Sequence, residues 1–317
     1  MVWWFVRGLT AVALLVLLFL RVRPVPALRL LRQSNPVFVL AGAALLFAVL
    51  VIGNERWRLL LSVRNRPLPR GFLLRVYLAA AALNSVLPTA LGGDVLRMAY
   101  TAGAGHGSVA VSVVLVDRLI GLIGLLVVTA GASVALAVRD GAPGPVVITV
   151  LLAVGLAAVL TAVLIEPSYR RLERFLRRIR LWGLGPKTVA VMDHMRSFRN
   201  RGKALMVATG WSLLLWLTHC LVWFTLGRAV GSSTPPFYYL LYVPLVALAT
   251  MVPVSVGGLG VRENGFVFLM SRAGMAPNQA TTITLLYLIV TYFWALVGSL
   301  ILSGLRRTAH QKSAPRN

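Results

Sequence analysis

The chain has 317 residues, 58% of them hydrophobic, with a mean hydropathy of +0.83 and a formal charge of +24. That composition excludes an ordinary soluble domain. It assigns the basic residues to loops that meet anionic lipid headgroups, and no nucleic-acid recognition motif is present. With one cysteine, Cys220, a disulfide framework is excluded. The four histidines, His106, His194, His219 and His310, lack metal-ligand spacing, so no metal and no cofactor is expected. There is no GxxxxGK[ST] loop to hydrolyse ATP.

Apolar runs of about 20 residues span hydrocarbon. In chain order they fall at 2–20, 36–53, 108–138, 145–165, 204–228 and 278–304. The first reads as a retained helix, because aromatics precede Arg7 and no small-residue cleavage pattern follows. Stretches 71–102 and 236–273 are equally apolar but interrupted by Pro and Gly. The predicted fold class is therefore an all-α polytopic membrane protein with six full spans and two helical hairpins broken by Pro and Gly. A single membrane domain covers 1–305, with repeat one over 1–138, repeat two over 145–305 and a basic tail over 306–317.

Between 166 and 203, eleven Arg and Lys stand against three acids. Within that segment SYRRLERFLRRIRLW places Leu172, Phe175, Leu176 and Ile179 at helical spacing, with arginines on the other face. This is the pattern of an interfacial amphipathic helix or a solvated cytoplasmic loop. The positive-inside rule makes 54–70, 166–203 and both termini cytoplasmic. Each broken stretch then enters and leaves on one side, the first from inside and the second from outside. Residues 21–35, with four arginines, conflict with this scheme.

The two broken stretches share a pattern. LPTALGGDVLR (87–97) and VPVSVGGLGVR (252–262) both follow P-x-x-x-G-G-x-x-x-R. Pro88, Gly92, Gly93 and Arg97 match Pro253, Gly257, Gly258 and Arg262 at a constant offset of 165. Gly260 adds a further glycine to the second break. Repeated breaks facing opposite ways predict an inverted-repeat transporter. Broken helices inside a membrane expose backbone groups that need polar partners. An intramembrane arginine marks a functional site, and a guanidinium beside a helix N-terminus suits a phosphate. Arg97 and Arg262 are thus predicted phosphate ligands, with Asn84, Ser255 and Asn264 as polar neighbours.

Asp117 and Arg118 lie about nine residues into an apolar helix, roughly 13 Å deep. Asp117 is expected to pair with Arg97 or Arg262, leaving Arg118 for substrate, or the reverse; a purely structural ion pair is the alternative. Asp94 and Glu263 are further charge partners. For Arg262 and Glu263 the alternative is that they are mere neighbours, since i,i+1 side chains on a helix do not face each other. Ser255 with His219 weakly suggests a serine–histidine dyad.

NSVLPTALGGDVLRMAY, VDRLIGL and VPVSVGGLGVRENG together resemble the flippase-like membrane family, also called the lysylphosphatidylglycerol synthase transmembrane-region family. The resemblance covers about 10–305. It nominates Asn84, Pro88, Gly92, Gly93, Arg97, Asp117, Arg118, Pro253, Gly257, Gly258, Gly260, Arg262 and Glu263. It implies movement of a lipid or lipid-linked headgroup between leaflets. Only 12 residues follow Leu305, so the aminoacyl-transferase domain of bifunctional members is expected to be absent. The expected activity is translocation of an anionic phospholipid or a polyprenyl-phosphate lipid across a bacterial inner membrane, with no catalytic residue. The alternatives are a non-transporting partner of a lipid- or glycan-modifying enzyme, and an intramembrane lipid-modifying enzyme using Asp94, Asp117 or Glu263 as base.

Overall fold

The computed structural model describes residues 24–64, 68–86, 92–102, 107–141, 144–164, 184–251 and 255–313. Among these, every regular element is helical. In chain order they are α1 (Pro24–Gln33), α2 (Pro36–Val63), α3 (Arg70–Val86), α4 (Gly92–Ala102), α5 (Gly107–Asp140), α6 (Gly144–Leu164) and α7 (Leu184–Arg196). There follow a 3₁₀ turn (Ser197–Asn200), α8 (Gly202–Ala229), α9 (Pro236–Met251), a second 3₁₀ turn (Val256–Gly258), α10 (Val261–Arg272) and α11 (Pro277–Ser313). Helices α2, α5, α8 and α11 are each long and apolar enough to cross a membrane, and α6 and α9 add apolar helices. The protein is an all-α polytopic membrane protein.

Local chemistry sets the helix ends. Asn35 caps α2, its Oδ1 accepting the Val37 amide at 3.0 Å, and Pro36 takes the first helical position, where no amide is needed. Helix α10 stops at Gly274, whose φ of 84° suits only glycine, with Met275 N–H returning to the Met270 carbonyl at 3.0 Å. Pro277 then opens α11.

Five of the predicted spans correspond to α2, α5, α6, α8 and α11; the first, 2–20, lies outside the described residues. The predicted span 36–53 is too short. The helix runs ten residues further, to Val63, because Trp57, Leu60 and Leu61 beyond the charged Glu55–Arg56 are fully buried. Residues 24–33, read as loop, are helical, and α11 carries on into the basic tail. The amphipathic segment at 166–183 lies outside the described residues.

Both broken stretches are helix pairs, α3–α4 and α9–α10, with 17, 11, 16 and 12 residues. At 1.5 Å per residue none reaches the roughly 30 Å of a hydrocarbon core. Pro88 and Pro253 lie outside the described residues.

The chain forms two compact units. The first takes the described parts of Met1–Val51, Arg70–Leu96 and Leu215–Asn317. Its most extensive packing is α3 against α11, where Gly298 lies so close to the Leu78 carbonyl that a methyl group would not fit. Close approach at small residues is how membrane helices gain packing without a hydrophobic driving force. Trp294 stacks on Phe47 at 4.7 Å and donates its indole N–H to the Ala43 carbonyl at 3.0 Å. The second unit takes the described parts of Ile52–Pro69 and Arg97–Leu214. There α5 packs on α6 and α7, and Ser133 shares a 2.9 Å hydrogen bond with Thr149.

Candidate functional site

In the second unit the sequence DRLIGLIG places Asp117, Gly121 and Gly124 on one face of α5. Asp117 is 1% exposed. Its Oδ1 accepts from Arg56 Nε at 2.7 Å and its Oδ2 from Arg97 Nη2 at 2.8 Å. Gly121 lies beside the Arg56 guanidinium, and a Cβ there would meet Nη1 at 3.4 Å, an ordinary contact distance. Gly124 leaves room for Ser212, whose hydroxyl accepts from Arg56 Nη1 at 3.1 Å and donates to the Ile120 carbonyl at 3.0 Å. Arg97 lies over the Trp57 ring, 4.5 Å from its centroid. A buried charge is tolerable only when paired and hydrogen-bonded, and a desolvated cation over indole adds about 2 kcal/mol. Of the partners expected for Asp117, Arg97 is found and Arg262 is not. The second partner is Arg56, from the stretch that charge alone assigns to a cytoplasmic loop. Arg118, next to the carboxylate, is half-buried, and Asp94 is buried in the first turn of α4, where the helix dipole favours it.

In the first unit the two breaks meet at the end of α3. Asn84 Oδ1 accepts the Gly93 amide at 2.7 Å, and a methyl group on Gly93 would collide with the Ala80 carbonyl. Gly257, at φ 57°, brings its backbone against the carbonyls of Asn84 and Ser85. The matching glycines are not conformational equivalents, however. Gly92 and Gly93 begin a helix, whereas Gly257 and Gly258 form a turn with positive φ, three residues ahead of α10.

Gly260, at φ 80°, is the N-cap of α10. Glu263, three residues on and 0% exposed, folds back so that Oε2 accepts the Gly260 amide at 2.6 Å. Its Oε1 accepts from Arg262 Nε at 3.0 Å and makes an ion pair with Nη2 at 3.0 Å. The alternative that the two are mere neighbours is thus set aside. The i,i+1 rule holds in a helix interior, but here the carboxylate turns back along the first turn to reach the cap. Asn264 Nδ2 donates to the Gly260 carbonyl at 2.8 Å.

Arg262 Nη1 makes no hydrogen bond among the described residues. The guanidinium lies 5.1 Å from the Tyr287 ring centroid, and its side chain is 17% exposed. It lines a cavity of about 90 Å³ together with Thr250, Phe266 and Trp223. Tyr287 and His219 close this cavity and also line a second one of about 180 Å³. Trp223 Nε1, which can only donate, points at His219 Nε2 at 3.4 Å, so Nε2 is the acceptor for the Tyr287 hydroxyl at 3.1 Å. His219 is thereby engaged, and the Ser255 hydroxyl, 5% exposed, has no partner among the described residues. The serine–histidine dyad is not formed.

These are features of a polytopic membrane protein with charged side chains held inside apolar helices. The chain belongs to the family described as the lysylphosphatidylglycerol synthase transmembrane region, whose model matches residues 4–298. It is also similar to a UPF0104 membrane protein of Methanothermobacter thermautotrophicus, 22% identical over 290 residues and 84% of each chain.

Proposed function

We propose that the protein moves an anionic lipid between the leaflets of a bacterial inner membrane. The carrying observation is Arg262, which lines a cavity and whose Nη1 makes no hydrogen bond among the described residues. A phosphate oxygen on Nη1 would form a charge-assisted hydrogen bond in a low-dielectric setting, where such bonds are about twice as strong as neutral ones. Glu263 holds the guanidinium in place and offsets part of its charge, so the resting site does not carry an isolated buried cation. Family membership supports a lipid as cargo. The ion cluster around Asp117 would act differently, by fixing α2, α4 and α5 to one another within their unit. On this reading Arg97 positions those helices, and Arg262 contacts cargo.

The test is charge discrimination in proteoliposomes. Purified protein should speed the transbilayer movement of labelled phosphatidylglycerol or a labelled polyprenyl-phosphate sugar, and leave labelled phosphatidylcholine at the protein-free rate. Equal movement of all three, or of none, would overturn the proposal.

A further inference from the structure

We propose that the larger cavity of the first unit receives the hydrocarbon of a lipid whose phosphate sits on Arg262, and that this cargo is a single-chain isoprenyl phosphate. The inference rests on the proposed function and specifies its substrate class.

The two cavities are chemically unlike. The smaller presents Arg262, Thr250 and Trp223. The larger is walled by Leu46, Val49 and Leu50 of α2, Ala81 of α3, and Trp294 and Ala295 of α11. Its volume, about 180 Å³, exceeds the roughly 150 Å³ at which an apolar protein cavity stays dry and takes benzene-sized ligands. Only His219 and Tyr287 belong to both walls, so an amphiphile with its anion on Arg262 would meet the larger cavity across these two side chains.

That spacing discriminates between lipid classes. In an isoprenyl phosphate the hydrocarbon begins at the carbon bearing the phosphate ester. In a glycerophospholipid the phosphate is followed by glycerol and two carboxylic esters, whose four oxygens would enter a chamber where the Thr291 hydroxyl, unpartnered among the described residues, can serve at most one of them. The Ser85 hydroxyl on that wall is already committed to the Ala81 carbonyl at 3.1 Å. The Tyr287–His219 hydrogen bond divides the chambers. Its two side chains must part slightly for a slender chain to pass, and two acyl chains would need a far wider gap.

Binding to the full-length protein in phosphatidylcholine nanodiscs tests this, with farnesyl phosphate and dioleoyl phosphatidic acid as probes. Both carry a phosphate monoester; one has a single isoprenoid chain and the other two acyl chains. Both chains leave lipid hydrocarbon on binding, so the difference lies in the ester oxygens; one buried without a hydrogen-bond partner weakens binding by about tenfold or more, and farnesyl phosphate should bind at least tenfold more tightly. Val49→Phe, which fills the larger cavity, should remove most of that difference without weakening phosphatidic acid. Arg262→Gln should weaken farnesyl phosphate about tenfold or more. A diazirine-bearing farnesyl phosphate should label wild-type protein at 46–50 or around Trp294, which keeps the test independent of how the variants fold. Equal affinity for the two lipids, or labelling confined to outward-facing side chains such as Leu296 and Leu300, would overturn the isoprenyl proposal and leave the anionic-lipid reading standing. Absence of binding by both lipids would overturn both.

Discussion

Arg56 and Asp117, 61 residues apart in the chain, meet at 2.7 Å through Nε and Oδ1, with both side chains almost fully buried. Arg97 completes the cluster on the other carboxylate oxygen. One carboxylate thus holds guanidinium groups from α2 and α4 against α5.

Asp117→Asn should therefore be among the most destabilising single changes, because it strips the shared countercharge from both arginines. Removing one partner of a buried ion pair costs about 3–5 kcal/mol. Thermal unfolding in detergent should show a large drop for Asp117→Asn, and the double variant with Arg97→Gln should lose less than the two single changes added together. Strict additivity would mean that the 2.8 Å contact contributes no coupling.

Gly93 predicts a backbone clash. Its position against the Ala80 carbonyl has no room for a methyl group. Gly93→Ala should destabilise by about 1–3 kcal/mol. Gly155 on α6, where an added methyl group would meet nothing within 4 Å, should tolerate alanine and gain up to about 1 kcal/mol of helix preference. Parallel melting curves of the two variants check both signs.

A pH effect is expected outside the spans. Arg64, just past α2, donates to His194 Nδ1 at 2.8 Å and to Ser197 Oγ at 2.6 Å. Partial burial, and then the neighbouring Arg64 charge, hold the His194 ring below its usual imidazole value, opposed by Asp193. The unfolded chain, titrating near about 6.5, then binds the proton more readily than the folded protein. Stability is complete above that value and declines as pH falls through it. Melting temperatures at pH 7.5 and 5.5 should show a smaller acid loss in His194→Gln than in wild type. Equal losses would show that this contact does not report on protonation.

The helices and their interruptions could be read from composition, because apolar length and the Pro/Gly breaks act locally. That Asp117 lies on an otherwise apolar helix was legible for the same reason, and it is buried. Its partner Arg56 was not legible. Four charged or amide residues in NERWR look like the end of a span, and only the buried Trp57, Leu60 and Leu61 beyond them betray that α2 continues. The Arg262–Glu263 pairing is invisible to helix-interior geometry, which does not hold in the first turn of α10. The matched Gly-Gly pairs announced two breaks, but their backbone angles depend on what packs against them: the Ala80 carbonyl at Gly93, and Thr250 at Gly258.

Contact between Arg262 and an anionic cargo is tested by the transbilayer rate of a labelled polyprenyl-phosphate sugar or phosphatidylglycerol for wild type, Arg262→Lys and Arg262→Gln, reconstituted at equal density. Loss of one charge-assisted hydrogen bond of about 1.5–3 kcal/mol predicts a rate lower by about tenfold or more in Arg262→Gln. Arg262→Lys, which keeps the charge but loses the planar fork, should fall in between. Unchanged transport by a correctly folded Arg262→Gln protein would show that Arg262 does not contact the cargo.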